Sequence, residues 1–112
     1  MPSGNISLLT LTVTASATVA ASRFVTQDGA YPSAGAKGHG VTRSSGVTGD
    51  LIPVDVLGTA IVEAGGTVAK DAALELDATG RVVTKSTGVA VAKAMEAGIV
   101  GGLIEVLLIP AA

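Results

Sequence analysis

The fold is decided by "DAALELDATGRVVTK", Asp71 to Lys85. Leu74 and Leu76 alternate with Glu75 and Asp77, "DATG" supplies Gly80 for a left-handed backbone position, and Val82 and Val83 resume an apolar run. Side chains of a strand alternate between its two faces, so a period of two on either side of a glycine turn predicts a β-hairpin. The leucines then face a core, and the two carboxylates occupy the wet face and the turn.

The same punctuation recurs on both sides of the hairpin. On the N-terminal side, "LIPVDVLGTAIVEA" reads as strand, break at Gly58, strand, with Pro53 marking an edge or a strand start. On the C-terminal side, "LIEVLLI", Leu103 to Ile109, reads as a closing strand buried on both faces except at Glu105, and Pro110 ends it. "GVAVAKAMEAG" is balanced between helix formers and the β-branched Val89 and Val91, and the flanking Gly88 and Gly98 favour strand. "ISLLTLTVT", Ile6 to Thr14, alternates leucine and valine with threonine and forms a strand or arm with one apolar and one hydroxyl face. Residues 26–50, which contain "QDGAYPSAGAKGHG" and "RSSGVTGD", read as long Gly/Ser-rich loops around a short strand at Gly40 to Thr42. Loops of that length are usually functional or ordered by a partner. The expected fold is therefore all-β: one domain over residues 1–112, a small antiparallel sandwich or barrel. It has an extended N-terminal arm over residues 1–14, the loop-rich segment 26–50 and a compact β core over 51–109.

Composition bounds what such a domain can do. The 112 residues are 48% hydrophobic but carry one Phe, one Tyr and no Trp, so each buried side chain removes little area from water. A chain of this size buries about 65% of its unfolded surface, and at about 25 cal/mol per Å² small side chains contribute modestly. There is no Cys, hence no disulfide and no thiolate zinc site. Association with other chains is the remaining source of burial. Net charge is −2, and the basic residues Arg23, Lys37, Arg43, Lys70, Arg81, Lys85 and Lys93 are scattered. With two aromatics in all, neither a basic face nor a stacking platform for nucleic acid is expected. The apolar start has no basic n-region of a signal peptide. No segment reaches the ~20 apolar residues of a membrane helix, so neither secretion nor membrane insertion is expected.

No reactive constellation stands out. His39 is the only histidine; Ser44 and Ser45 follow it without a G-x-S-x-G elbow, and one histidine does not make a metal site. Glu75 and Asp77 share a strand face, a geometry open to acid–base work, but alternation with leucine explains them as a solvent face. No calcium loop or phosphate-cradling glycine motif is present. No enzyme activity, cofactor, metal or small-molecule substrate is therefore expected. The competing reading is a biotinyl- or lipoyl-like carrier barrel modified at Lys93, in "AKAME". Biotinyl domains carry the order A-M-K-M at a hairpin apex, whereas here Lys93 precedes Ala94 and Met95. An intact-mass measurement would separate the two readings.

Three stretches, "GVTRSSGVTGDLIPVDVLGTAIVEAGGTVAKDAAL", "LDATGRVV" and "GVAVAKAMEAGIVGGLIEVLL", agree in order and spacing with one family. Over about two thirds of the chain the sequence resembles the bacteriophage capsid cement or decoration proteins, encoded beside the major capsid protein. The resemblance implies a small, mainly β, non-catalytic protein on the outer surface of an icosahedral head, in the virion after assembly in the host cytoplasm. Its partner would be the major capsid protein, whose neighbouring subunits it would bridge. Closed symmetry then favours a homotrimer, with a dimer on twofold axes as the alternative. Asn5, Ile6 and Leu8 of the arm are the expected capsid-binding residues, by pairing with an exposed strand edge.

Overall fold

The structure, a computed structural model, describes residues 6–109, and among these there is no helix. Eight strands follow one another: β1 Ser7–Thr14, β2 Phe24–Val25, β3 Gly40–Thr42, β4 Leu51–Glu63, β5 Ala73–Leu76, β6 Val82–Thr84, β7 Ala92–Ala94 and β8 Leu103–Leu108. All strand pairs are antiparallel, in the order β2-β3-β4-β8-β7-β5-β6, and β1 pairs with β4 off this path. The sheet curls into a half-barrel. Its last strand returns toward the end of β4 through a parallel bridge between Ala64 and Val82, with the Gly65 N–H donating to the Val82 carbonyl at 2.8 Å.

The hairpin of β5 and β6 forms in the expected register, with Leu74 opposite Thr84, Glu75 opposite Val83 and Leu76 opposite Val82. Gly80 takes φ +78°, and the turn docks on β2, where its carbonyl accepts the Phe24 N–H at 2.8 Å. Leu74, Leu76 and Val82 join Phe24, Val62, Ile104 and their neighbours in the larger buried cluster. A second cluster, including Val13, Val19, Ile52 and Val54, fills the space under the first half of β4.

β4 carries the architecture, and here the expected break is corrected. The strand continues for 13 residues through Gly58, which takes φ +98°. The irregularity falls on its partner, where the β1 register shifts between Ser7 and Leu9 and again between Leu9 and Thr10. Before Gly58 the strand pairs with β1 and β3; from Thr59 it pairs with β8. A β-carbon at Gly58 would run into the Ile6 carbonyl, so glycine is what lets the arm lie this close. Pro53 is the third residue of β4, near its start as expected, and its carbonyl accepts the Arg43 N–H at 3.0 Å.

Two further expectations are corrected. Glu105 is buried at 9% exposure, while Leu103 and Leu107 of the same strand are exposed, the reverse of the pattern read from hydropathy. Glu105 sits opposite Ile61 in the sheet, and its N–H donates to the Glu96 carboxylate at 3.1 Å. Residues 26–50 carry backbone bonds of their own to the sheet. The Gly35 N–H donates to the Leu76 carbonyl, the Val89 N–H to Gly35 and the His39 N–H to Val25, so the loops are tied to the sheet by their own backbone. Close approach makes this possible, since a β-carbon on Gly88 would meet Gly35. In "GVAVAKAMEAG" only Ala92–Ala94 is strand, and the rest is turn and extended chain.

Candidate interaction surface

β1 is an edge strand with very little covering it. It pairs with β4 on one side, and among the described residues no strand lies on the other. From Leu8 to Thr12 every side chain is exposed, on both faces; only Val13 is buried. No residue of Ser7–Thr14 is charged or a proline, so of the features that ordinarily protect a sheet edge from pairing, β1 has only the register irregularity around Leu9. Leu8 is 75% exposed and Leu51, at the other end of the β1–β4 pair, 72%.

The strand is nonetheless held in place. The Ile6 carbonyl accepts the Thr59 N–H at 2.8 Å, and the Ile6 N–H donates to the Thr59 hydroxyl at 2.7 Å. In the middle, Asp55 carries the anchoring contact: the Thr10 hydroxyl donates to its Oδ1 at 2.8 Å, and Arg43 Nε lies 3.6 Å from Oδ2. Asp55 is 2% exposed, so this carboxylate links β1, β4 and the chain after β3 from inside the sheet. Sequence reasoning passed over it, although a lone carboxylate inside the apolar run "PVDVL" is a signal that a partner must be present.

Of the expected contact residues, Ile6 and Leu8 lie at the exposed start of this strand; Asn5 lies outside the described residues. The other candidates are dispersed. Glu75 accepts the Ser86 N–H at 2.6 Å and the Gly88 N–H at 3.0 Å, which holds its carboxyl below the ordinary 4.5. Burial pushes the Asp77 carboxyl up. The N–H groups of Arg81 and Thr79 and their side chains outweigh it, so Asp77 too lies below its ordinary 3.8. Both are backbone clamps with lowered proton affinity, the wrong direction for a general acid. Ser44 and Ser45 are exposed, and His39 lines an open cleft together with Phe24, Val91 and Leu108. Among the described residues no three His, Cys, Asp or Glu side chains are grouped to hold a metal ion. Lys93 is in mid-strand, between Ala73 of β5 and Leu107 of β8, with Asp71 at 3.8 Å. It is not at a hairpin apex, where a carrier lysine would stand.

β1 is thus a long uncharged edge strand whose free backbone edge and both faces are open. Residues 3–106 match the family described as phage cement protein. The chain belongs to the phage cement protein family. Membership places it among the structural, capsid-associated proteins of phage. The fold is shared with the N base of the head fiber gp8.5 of bacteriophage phi29, at a TM-score of 0.73 and 20% identity over 89% of this chain and 92% of that one. No curated protein matches the sequence. Within this cement protein, Arg23 and Arg81 both reach Glu63, at 3.2 and 3.5 Å, and Arg81 also reaches Asp77 at 3.2 Å. These ion pairs fasten the end of β4 to the β5–β6 turn, and β1 itself carries no charge.

Proposed function

We propose that this protein decorates the outer surface of an icosahedral phage capsid and stabilises it by bridging neighbouring major capsid protein subunits, without catalysis. The observation that carries the reading is β1, an uncharged strand whose free edge and both faces are open from Leu8 to Thr12. An exposed backbone edge binds an extended segment or another edge through main-chain hydrogen bonds, and the side chains on its two faces supply the apolar contacts. Asn5, Ile6 and Leu8 are the residues assigned to this contact, together with the strand that follows. The protein acts as a homotrimer, a dimer across twofold axes being the alternative, on the virion exterior after assembly in the host cytoplasm.

The energetic logic is mass action. A molecule that binds the assembled lattice and not its separated subunits shifts the equilibrium toward the lattice, by about 2.7 kcal/mol per site at a hundredfold excess over Kd. Virions lacking this protein are expected to release their DNA at a lower temperature than complete ones. Equal heat resistance of the two particles would overturn cementing as the role, whatever the site of attachment.

A further inference from the structure

Arg43, next after β3, has a guanidinium that is only partly engaged. Its Nε lies 3.6 Å from Asp55 Oδ2, and its side chain is 49% exposed. Among the described residues neither of its Nη groups makes a hydrogen bond. The other two arginines are filled. Arg23 reaches Glu63 at 3.2 Å and the Thr79 carbonyl at 3.1 Å, while Arg81 holds Asp77 with Nε at 3.2 Å and Glu63 with Nη1 at 3.5 Å. Arg81 therefore spans two carboxylates. Arg43 has the first half of that arrangement, Nε beside a carboxylate, and keeps most of its N–H donors for something else.

Beside it lies an open hollow of about 200 Å³, lined by Arg43, Ser22, Thr42 and Asp55 with Val41 and Ile61. The Thr42 hydroxyl is already committed, accepting the Arg23 N–H at 3.2 Å and donating to the Ala20 carbonyl at 2.7 Å. Both oxygens of Asp55 are taken as well, by Thr10 and by Arg43. What the hollow offers a ligand is thus donors, the Nη groups of Arg43 and the hydroxyl of Ser22, which has no hydrogen bond among the described residues. Ser22 is placed there against its own preference. It takes φ +60°, uncommon for a residue with a β-carbon, and is held so by its N–H on the Thr42 carbonyl and its carbonyl under the Glu63 N–H, both at 2.9 Å. Backbone positions imposed in this way recur where ligands are clamped.

A planar fork of donors matches a carboxylate or a phosphate. The charge decides between them. The hollow has one guanidinium, already shared with Asp55, and no second Arg or Lys in its lining, so a doubly charged phosphate would face Asp55 without being neutralised. A singly charged carboxylate suits it. Since a cavity of about 150 Å³ takes a benzene-sized ring, an Asp or Glu side chain has room. The hollow is also near the proposed contact: Asp55 pairs with Thr10 of β1 on one side and with Val41 of β3 on the other, which puts β1 and β3 roughly 10 Å apart at about 4.8 Å per strand.

We infer that Arg43 and Ser22 form a carboxylate seat, and that the capsid protein paired with β1 presents an Asp or Glu side chain to it. The inference rests on the capsid contact proposed above and names the charge that the contact reads.

Two measurements test it. The first is binding to heads that lack this protein, by sedimentation at low and at physiological salt, for wild type, Arg43→Gln, Arg43→Lys and the exposed control Lys37→Gln, each first shown to keep the wild-type urea transition. Arg43→Gln is expected to lose about tenfold or more in affinity, the cost of a charge-assisted bond, and to bind with a shallower salt dependence; Lys37→Gln is expected to bind as wild type. Arg43→Lys keeps a charge beside Asp55 but not the fork, and should bind more weakly than wild type. Wild-type affinity in Arg43→Gln, or an equal loss in Lys37→Gln, overturns the inference and leaves cementing intact. The second is an NMR titration of the free protein with sodium acetate. The Arg43 Nε–H and Ser22 amide signals should move with acetate and not with equal sodium chloride, and the Ser22 response should vanish in Arg43→Gln. No movement, or a larger one with inorganic phosphate, overturns the seat. A wild type that answers acetate but does not bind heads overturns the capsid reading instead.

Discussion

Replacing Gly58 by alanine tests how the arm is held. At φ +98° an L-residue is strained by about 1–2 kcal/mol. The new β-carbon would also meet the Ile6 carbonyl, which accepts the Thr59 N–H. Displacing that carbonyl loses one backbone hydrogen bond, worth about 1 kcal/mol net. The expected loss is therefore about 2–3 kcal/mol, or a fall of roughly 1–2 M in the urea midpoint for a domain of this size. Gly49 provides the control, because it has φ +96° with nothing within 4 Å of a β-carbon. Gly49→Ala carries the backbone strain alone and should lose about 1–2 kcal/mol. Hydrogen exchange locates the difference: the Thr59 amide should exchange faster in Gly58→Ala and not in Gly49→Ala. Equal midpoints for the two variants, with an unchanged Thr59 amide, would refute the claim that glycine is required for the arm to approach β4.

Three further outcomes follow from named contacts. Asp55→Ala removes a buried acceptor of Thr10 and leaves Arg43, half exposed, to rehydrate, so the loss should be about 2–3 kcal/mol, below the full cost of breaking a buried pair; a midpoint within error of wild type would count against the anchor. Glu75, with its folded pKa below the unfolded 4.5, contributes stability that is present above about pH 4.5 and lost as pH falls through the lowered folded value. Glu75→Gln should therefore flatten the decline in urea midpoint between about pH 6 and pH 3.5, leaving the residual decline from Asp77 at lower pH, and an unchanged decline would remove Glu75 as the cause. Deleting residues 1–9 removes no buried side chain of β1 but takes away the two hydrogen bonds of Ile6, the Ser7–Thr10 hydroxyl bond and the pairing of Ser7 and Leu9 with β4, so the fold should survive at a cost of about 1 kcal/mol per bond lost while capsid binding disappears; full binding by the shortened chain would refute the assigned role of the arm.

What was legible in the sequence was local. The β5–β6 hairpin could be read because Gly80 and the leucine alternation lie within ten residues of each other, and β3 because glycine and loop residues bound it on both sides. β2 is two residues long, too short for any period, and it exists because Phe24 and Val25 find β3 across a loop. Glu105 was misplaced because its charge argued for the wet face, whereas register sets it opposite Ile61 and beside Glu96. Asp55 and Glu75 both act on backbone or side chains far along the chain, and such pairings leave no spacing signal. For the same reason the exposed β1 was legible as a strand but not as an edge. That property belongs to β4, which changes partner at Gly58.

The distribution of aliphatic side chains ties the fold to the proposed role. Among the described residues ten leucines and isoleucines are exposed and five buried, the reverse of their usual partition. Valine and alanine make up most of the core, where backbones approach closely enough for glycine to be needed at Gly58 and Gly88. Small interior side chains and dense backbone pairing fix the turns and strand ends without using the larger residues. Those remain at the β1 edge, at the turn holding Ile99 and Val100, and around Leu51. Each such side chain taken out of water by a partner contributes about 1.5–3 kcal/mol before the costs of association. A chain arranged in this way gains its remaining burial by assembling, and the rigidity of its turns means that little of the gain is lost to ordering the surface that binds.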